Sequence, residues 1–111
     1  MAINISWAAQ GDVRIATLDG RIDTSNAREF EEKMLEGVSE DARALLLEFS
    51  GITYISSAGL RIVLKLAKIF SKPKSFAVCS LPDTVDEIFT ISGFSQIVTV
   101  YKSPADAVQA M

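Results

Sequence analysis

Apolar and polar positions alternate at the start of the chain. Ile3, Ile5 and Trp7 interleave with Asn4 and Ser6, and Val13, Ile15 and Thr17 interleave with Arg14 and Ala16. A period of two predicts two strands, joined by a turn at Gln10-Gly11-Asp12. Asp19-Gly20-Arg21-Ile22-Asp23 breaks that pattern. Thr24, Ser25 and Asn26 then offer N-caps for a helix whose apolar positions Ala27, Phe30 and Met34 recur at helical spacing, with Gly37 at its end. Glu29, Glu31, Glu32 and Glu36 read as a solvated acidic face.

Ala44 to Phe49 is a short apolar run between the charged Glu40-Asp41 and the turn pair Ser50-Gly51, the pattern of a strand buried on both faces at the centre of a sheet. A second helix is predicted from near Ser57 to Ser71, stopped by Lys72-Pro73-Lys74, with a strand over Ser75 to Cys79 behind it. Ser80-Leu81-Pro82-Asp83 has the hydroxyl, proline and carboxylate of a capping box, so a third helix is expected to start there and to end near Ser92-Gly93. Ile97 to Tyr101 reads as a last strand. Ser103-Pro104-Ala105-Asp106 repeats the capping pattern ahead of a final helix that carries Val108 and Met111. Strands alternating with helices predict an α/β layer in which the later strands run parallel.

Composition narrows the function classes. The chain has 111 residues, enough for one domain, and 49% hydrophobic with 23% charged residues excludes intrinsic disorder. A net charge of −3 supplies no attraction for a polyphosphate backbone, so nucleic acid is not an expected partner. With no histidine, Ser-His and Cys-His nucleophiles and His-containing metal sites are excluded, and no metal or cofactor site is read elsewhere. One cysteine, Cys79, cannot form an intramolecular disulfide and fits a reducing compartment. The first residues lack a basic and then apolar leader, and no apolar stretch reaches the ~20 residues of a spanning helix. A cytoplasmic protein without membrane insertion is expected.

The informative stretch is Glu48 to Arg61, which reads as strand, loop and helix start. Ser56 and Ser57 lie at the mouth of that helix, where free backbone N–H groups and the positive end of the dipole gather, so a phosphate on either would meet donors. Ala58 and Gly59 are expected to leave it accessible. On the residues alone a serine there is first of all an N-cap. Arg61, Lys65, Lys68 and Lys72 form a basic edge that reads as solvated surface or as a complement to an acidic partner, with Arg61 one turn after Ser57. Asp19 and Asp23 flank Gly20 in what reads as an ordinary polar turn.

Gly20-Arg21-Ile22-Asp23, the run from Leu46 to Leu60, and the order of elements resemble the STAS domain family, and within it the stand-alone anti-sigma factor antagonists. The resemblance covers essentially residues 1–111 as a single STAS domain. It implies a mixed sheet of about five strands with about four helices, no enzymatic activity, and a phosphoacceptor serine just before the second helix. Matched through Gly59-Leu60, the acceptor is Ser57, with Ser56 as the alternative. The family implies a partner that is a serine-kinase anti-sigma factor of histidine-kinase-like ATPase fold, bound when the antagonist is unphosphorylated and lost on phosphorylation. A metal-dependent serine phosphatase reverses the modification. Asp23 and Thr24 match the loop that faces the kinase, and Ser56, Ala58, Gly59, Leu60 and Arg61 complete the expected contact set. Many members carry aspartate at the Ser56 position, a hydroxyl residue at Ala58 and glycine at Arg61. The alternative is a constitutive STAS subunit of a transporter, lipid-transport or secretion-control complex, in which Ser57 is only an N-cap.

Overall fold

The computed structural model describes residues 3–38 and 41–111. The leader reading at Met1-Ala2 and the Glu40 boundary therefore fall outside the described residues. Among these, one sheet has the order β1-β2-β3-β4-β5, from β1 (Asn4–Gln10), β2 (Val13–Ile22), β3 (Ala44–Ile55), β4 (Ser75–Cys79) and β5 (Thr99–Tyr101). β1 pairs antiparallel with β2, and every later pair is parallel, so the sheet is mixed. Helices α1 (Ala27–Gly37), α2 (Ser57–Ile69), α3 (Asp83–Ile91) and α4 (Pro104–Ala110) follow β2, β3, β4 and β5. The architecture is the one the alternation predicts.

Two apolar layers hold the sheet. The larger joins Leu18, Ile22, Leu45, Leu47, Phe49 and Val78 of the sheet to Phe30 and Met34 of α1, Val63 and Leu66 of α2, and Val85 and Phe89 of α3. Phe89 packs edge-on against Phe49 and Phe94, with centroids 5.8 and 5.7 Å away. The smaller layer, Val13, Ile15, Ala44, Leu46, Ala77 and Cys79, meets Ala107 of α4. Leu45, Leu46 and Leu47 are fully buried because the sheet is covered on both faces there, each contributing about 1.5–3 kcal/mol. Burial pushes the Cys79 thiol above its ordinary pKa; the Ser80 hydroxyl opposes this, and the Glu48 carboxylate adds to it.

Several boundaries differ from the sequence reading. Thr17, expected inward, is exposed, while Ala16 and Leu18 are buried on the opposite face, because α4 is too short to cover the outer half of β2. β2 does not break at Asp19; it runs to Ile22. β3 continues through the supposed turn Ser50-Gly51 to Ile55, with register shifts against β2 on either side of Asp19-Gly20. Glu48 accepts from the Ser50 amide at 2.6 Å and its hydroxyl at 3.0 Å, holding the irregular residue in place. Gly51 belongs there because a Cβ would stand 2.6 Å from Asp19 Oδ1 and 2.9 Å from the Leu18 carbonyl.

The Ser80 capping box does not form. α3 starts at Asp83 with Pro82 as N-cap and no side-chain cap, while Ser80 takes a left-handed φ of 61° as the chain leaves β4, its amide donating to the Tyr101 carbonyl at 3.2 Å. The same motif at Ser103 does form, with Ser103 Oγ accepting from the Asp106 amide at 3.2 Å and Pro104 in the first turn. The last strand begins at Thr99, since a short 3-10 turn at Phe94–Gln96 occupies the approach and leaves Ile97 exposed. α2 stops at Ile69, two residues earlier than expected.

Candidate functional site

The ends of β2 and β3 lie side by side, with Ile22 opposite Ile55. The Ser56 amide donates to the Ile22 carbonyl at 2.8 Å, which ties the start of α2 to the loop that follows β2. Asp23, Thr24, Ser56 and Ser57 therefore come from two segments joined at one end of the sheet.

Ser56 and Ser57 divide the local work. Ser56 is the N-cap, its backbone extended at φ −86° and ψ 172°, and its Oγ accepts from the Gly59 amide at 3.2 Å. The expectation that a structural role would fall to Ser57 as N-cap is thus corrected: Ser57 is the first helical residue, one position further along. Ser57 is exposed, and among the described residues its hydroxyl has no hydrogen-bond partner. The first turn of α2 carries no acidic residue to neutralise the dipole. Ser56→Ala is expected to cost about 1 kcal/mol, a fall of roughly 4 °C in Tm for a domain of this size. Ser57→Ala is expected to leave Tm within about 2 °C; thermal melts of the two variants check the division.

Gly59 and Leu60 lie inward. Leu60, expected on the contact surface, is 7% exposed and packs in the larger core. Gly59 is buried rather than opening access: a Cβ on it would lie 2.6 Å from Ile22 Cγ2 and 2.8 Å from Ile55 Cγ1, so glycine lets α2 press onto the two strand ends. Ala58 is half-buried beside Ser57, and Arg61 is exposed one turn on, with no ion pair or hydrogen bond among the described residues. Within the basic edge, Lys65 pairs with Glu31 of α1. That pair joins one residue of the acidic face to one of the basic edge, both read as solvated surface.

The Asp23 loop is locked by its own polar groups. Asp23 Oδ1 accepts from the Ser25 hydroxyl at 2.6 Å and the Ser25 amide at 2.9 Å, and Oδ2 pairs with Arg21 Nε at 3.0 Å. The Ser25 hydroxyl holds the Asp23 carboxyl below its ordinary pKa; slight burial opposes this, and the Ser25 amide and Arg21 charge assist. Asn26 is 5% exposed and occupies the N-cap position of α1, but its side chain does not cap. Instead Oδ1 accepts from the Asp23 amide and Nδ2 donates to the Arg21 carbonyl, each at 2.8 Å. The Arg21 guanidinium lies 5.4 Å from the ring centroid of Tyr54, which is 42% exposed. The roles of Ser25, Asn26 and Tyr54 escaped the sequence reading; the Asp-x-Ser spacing of an Asx turn is the signal for the first.

A family model of the STAS domain matches residues 4–107. The chain belongs to the STAS domain family. Among curated relatives, this STAS domain is 37% identical over 97 residues to BtrV of Bordetella bronchiseptica, named as a candidate anti-sigma factor antagonist, covering 86% of this chain and 84% of that protein. Among solved structures it matches an anti-sigma factor antagonist from Mycobacterium paratuberculosis with a TM-score of 0.90 at 21% identity, covering 98% and 93% of the two chains. It also matches unphosphorylated SpoIIAA with a TM-score of 0.73 at 14% identity, over 96% and 95% of the chains. Those two likenesses establish the fold, a five-stranded mixed sheet with four helices. No helix among the described residues is long and apolar enough to cross a membrane.

Proposed function

We propose that this STAS domain is an anti-sigma factor antagonist whose binding is switched by phosphorylation of Ser57. The observation that carries the reading is the spare hydroxyl: Ser56 caps α2, so Ser57 Oγ stands exposed at the first helical position and can be modified without removing a structural bond. The relationship to BtrV supports the antagonist part. SpoIIAA, which shares the fold, has been solved in its phosphorylated form, consistent with a phosphate on this scaffold.

In the unphosphorylated state a surface made by the exposed Ser57, Arg61 and Thr24 with the half-buried Ala58 and Asp23 meets the kinase anti-sigma factor, while Gly59 and Leu60 set its shape from beneath. Phosphorylation adds about −1.5 to −2 charge at neutral pH to a surface otherwise closed against a partner, where it repels acidic groups or is stripped of water. The free N–H groups of the α2 terminus and Arg61 accommodate that charge locally, so release requires no refolding. The phosphatase then restores binding. Ser57 supplies only the accepting oxygen, and the chain acts as a substrate of both enzymes.

Peptide mass spectrometry of the protein from its own cells tests the assignment. Phosphate is expected on Ser57, and Ser57→Ala should abolish it. Phosphate on Ser56 would transfer the role to the capping serine, and none under any growth condition would favour constitutive docking.

A further inference from the structure

The two edges of the sheet are not alike. β5 spans 3 residues and is followed by Lys102 and Pro104, features that blunt an edge against pairing. β1 spans 7 residues, has no charge and no proline, and runs against β2 without a register shift from Asn4 to Gln10. At its start the edge is closed by α1, because the Ile3 amide donates to Glu29 Oε2 at 3.3 Å and Lys33 Nζ donates to the Ile3 carbonyl at 2.9 Å. At its end Gly11 turns the chain away with a φ of 59°. Between those limits no described residue hydrogen-bonds to the outer edge of β1.

That segment matches itself. Its central residue is Trp7, and antiparallel pairing of two copies about Trp7 sets Asn4 opposite Gln10, Ile5 opposite Ala9 and Ser6 opposite Ala8. Ile5 faces Ala9 on the Trp7 side, where Ile5 and Trp7 are half-buried and Ala9 is exposed, Ser6 faces Ala8 on the other, two amides meet at each end, and no like charges oppose, although each copy carries a net charge of −3. Ile3 and Gly11, where the edge is closed, fall just outside the ladder. The Trp7 ring packs on Gly37, and the Arg14 guanidinium lies 4.7 Å from the ring centroid.

We propose that β1 is a self-association edge, two copies of this chain pairing β1 to β1 about a two-fold axis at Trp7 to make one continuous sheet. An isologous contact of this kind closes on itself and stops at a dimer. It leaves the α2 terminus to its own partner and does not depend on the phosphorylation reading.

Sedimentation velocity from micromolar to millimolar concentration tests it, with the emission of Trp7, the chain's one tryptophan, as a local reporter. The wild type should dimerise, with emission shifting as it does. Ser6→Lys with Ala8→Lys places lysines directly opposite and should weaken association at least about tenfold, whereas Ser6→Lys with Ala8→Glu sets opposite charges in the same register and should restore it. Both positions are exposed, so thermal melts of both variants should match wild type; should the double lysine fail to fold, the lysine–glutamate pair and Ala8→Lys alone carry the test. A wild type that stays monomeric throughout, or a double-lysine variant that dimerises unchanged, overturns the proposal. Loss without restoration by the lysine–glutamate pair overturns the register at Trp7.

Discussion

Replacing Ser57 with aspartate is expected to lower the affinity for the kinase anti-sigma partner at least tenfold, more than about 1.4 kcal/mol, while leaving the thermal melt unchanged or slightly raised. Stability should not fall because among the described residues the side chain makes no bond to lose, and a carboxylate in the first turn of α2 is favoured by the helix dipole. Affinity should fall because a charge is placed at the centre of the proposed contact. Ser56→Asp is the informative control: aspartate also caps helices, so a carboxylate one residue away should leave stability near wild type. Equal affinities for wild type and Ser57→Asp, measured by titration calorimetry, would remove the switch and leave a permanent binding subunit.

Gly59→Ala is expected to lower stability by about 2 kcal/mol, a fall of roughly 8 °C in Tm. Alanine in a helix interior gains about 1 kcal/mol over glycine. Here the added methyl meets Ile22 Cγ2 and Ile55 Cγ1 inside van der Waals distance, on β-branched side chains close to their own backbones, so the helix has to move instead. Because Ser56 and Ser57 sit at that end of α2, partner affinity should fall as well. A melt at or above the wild-type temperature would show that the helix seats without the close approach.

Much of this architecture is legible in the residues because local and global signals agree. The alternation at Ile3, Ile5 and Trp7, the apolar run from Ala44 to Phe49 and the Ser103 cap all lie where the structure puts them. Most of the failures trace to partners distant in sequence. Ser50-Gly51 reads as a turn, yet its glycine serves the close approach of β2. Ser80-Leu81-Pro82-Asp83 and Ser103-Pro104-Ala105-Asp106 look alike, but at Ser80 the chain must bend out of β4 while bonded to Tyr101, which a helix N-cap conformation does not permit. At the candidate site the pair Ser56-Ser57 was visible, but which serine caps and which stays free is a difference of one residue, settled by how Gly59 seats α2 on Ile22 and Ile55. Asn26 was legible as a cap position, while its use as the clasp of the Arg21–Asp23 loop depends on a fold in which that loop turns back on itself.

The most direct measurement is the affinity of one preparation for the kinase anti-sigma factor before and after stoichiometric phosphorylation, followed by phosphatase treatment. Tight binding, loss of at least tenfold on phosphorylation at Ser57 and full recovery on dephosphorylation are the predicted result. Affinity that does not change when Ser57 carries phosphate would contradict it.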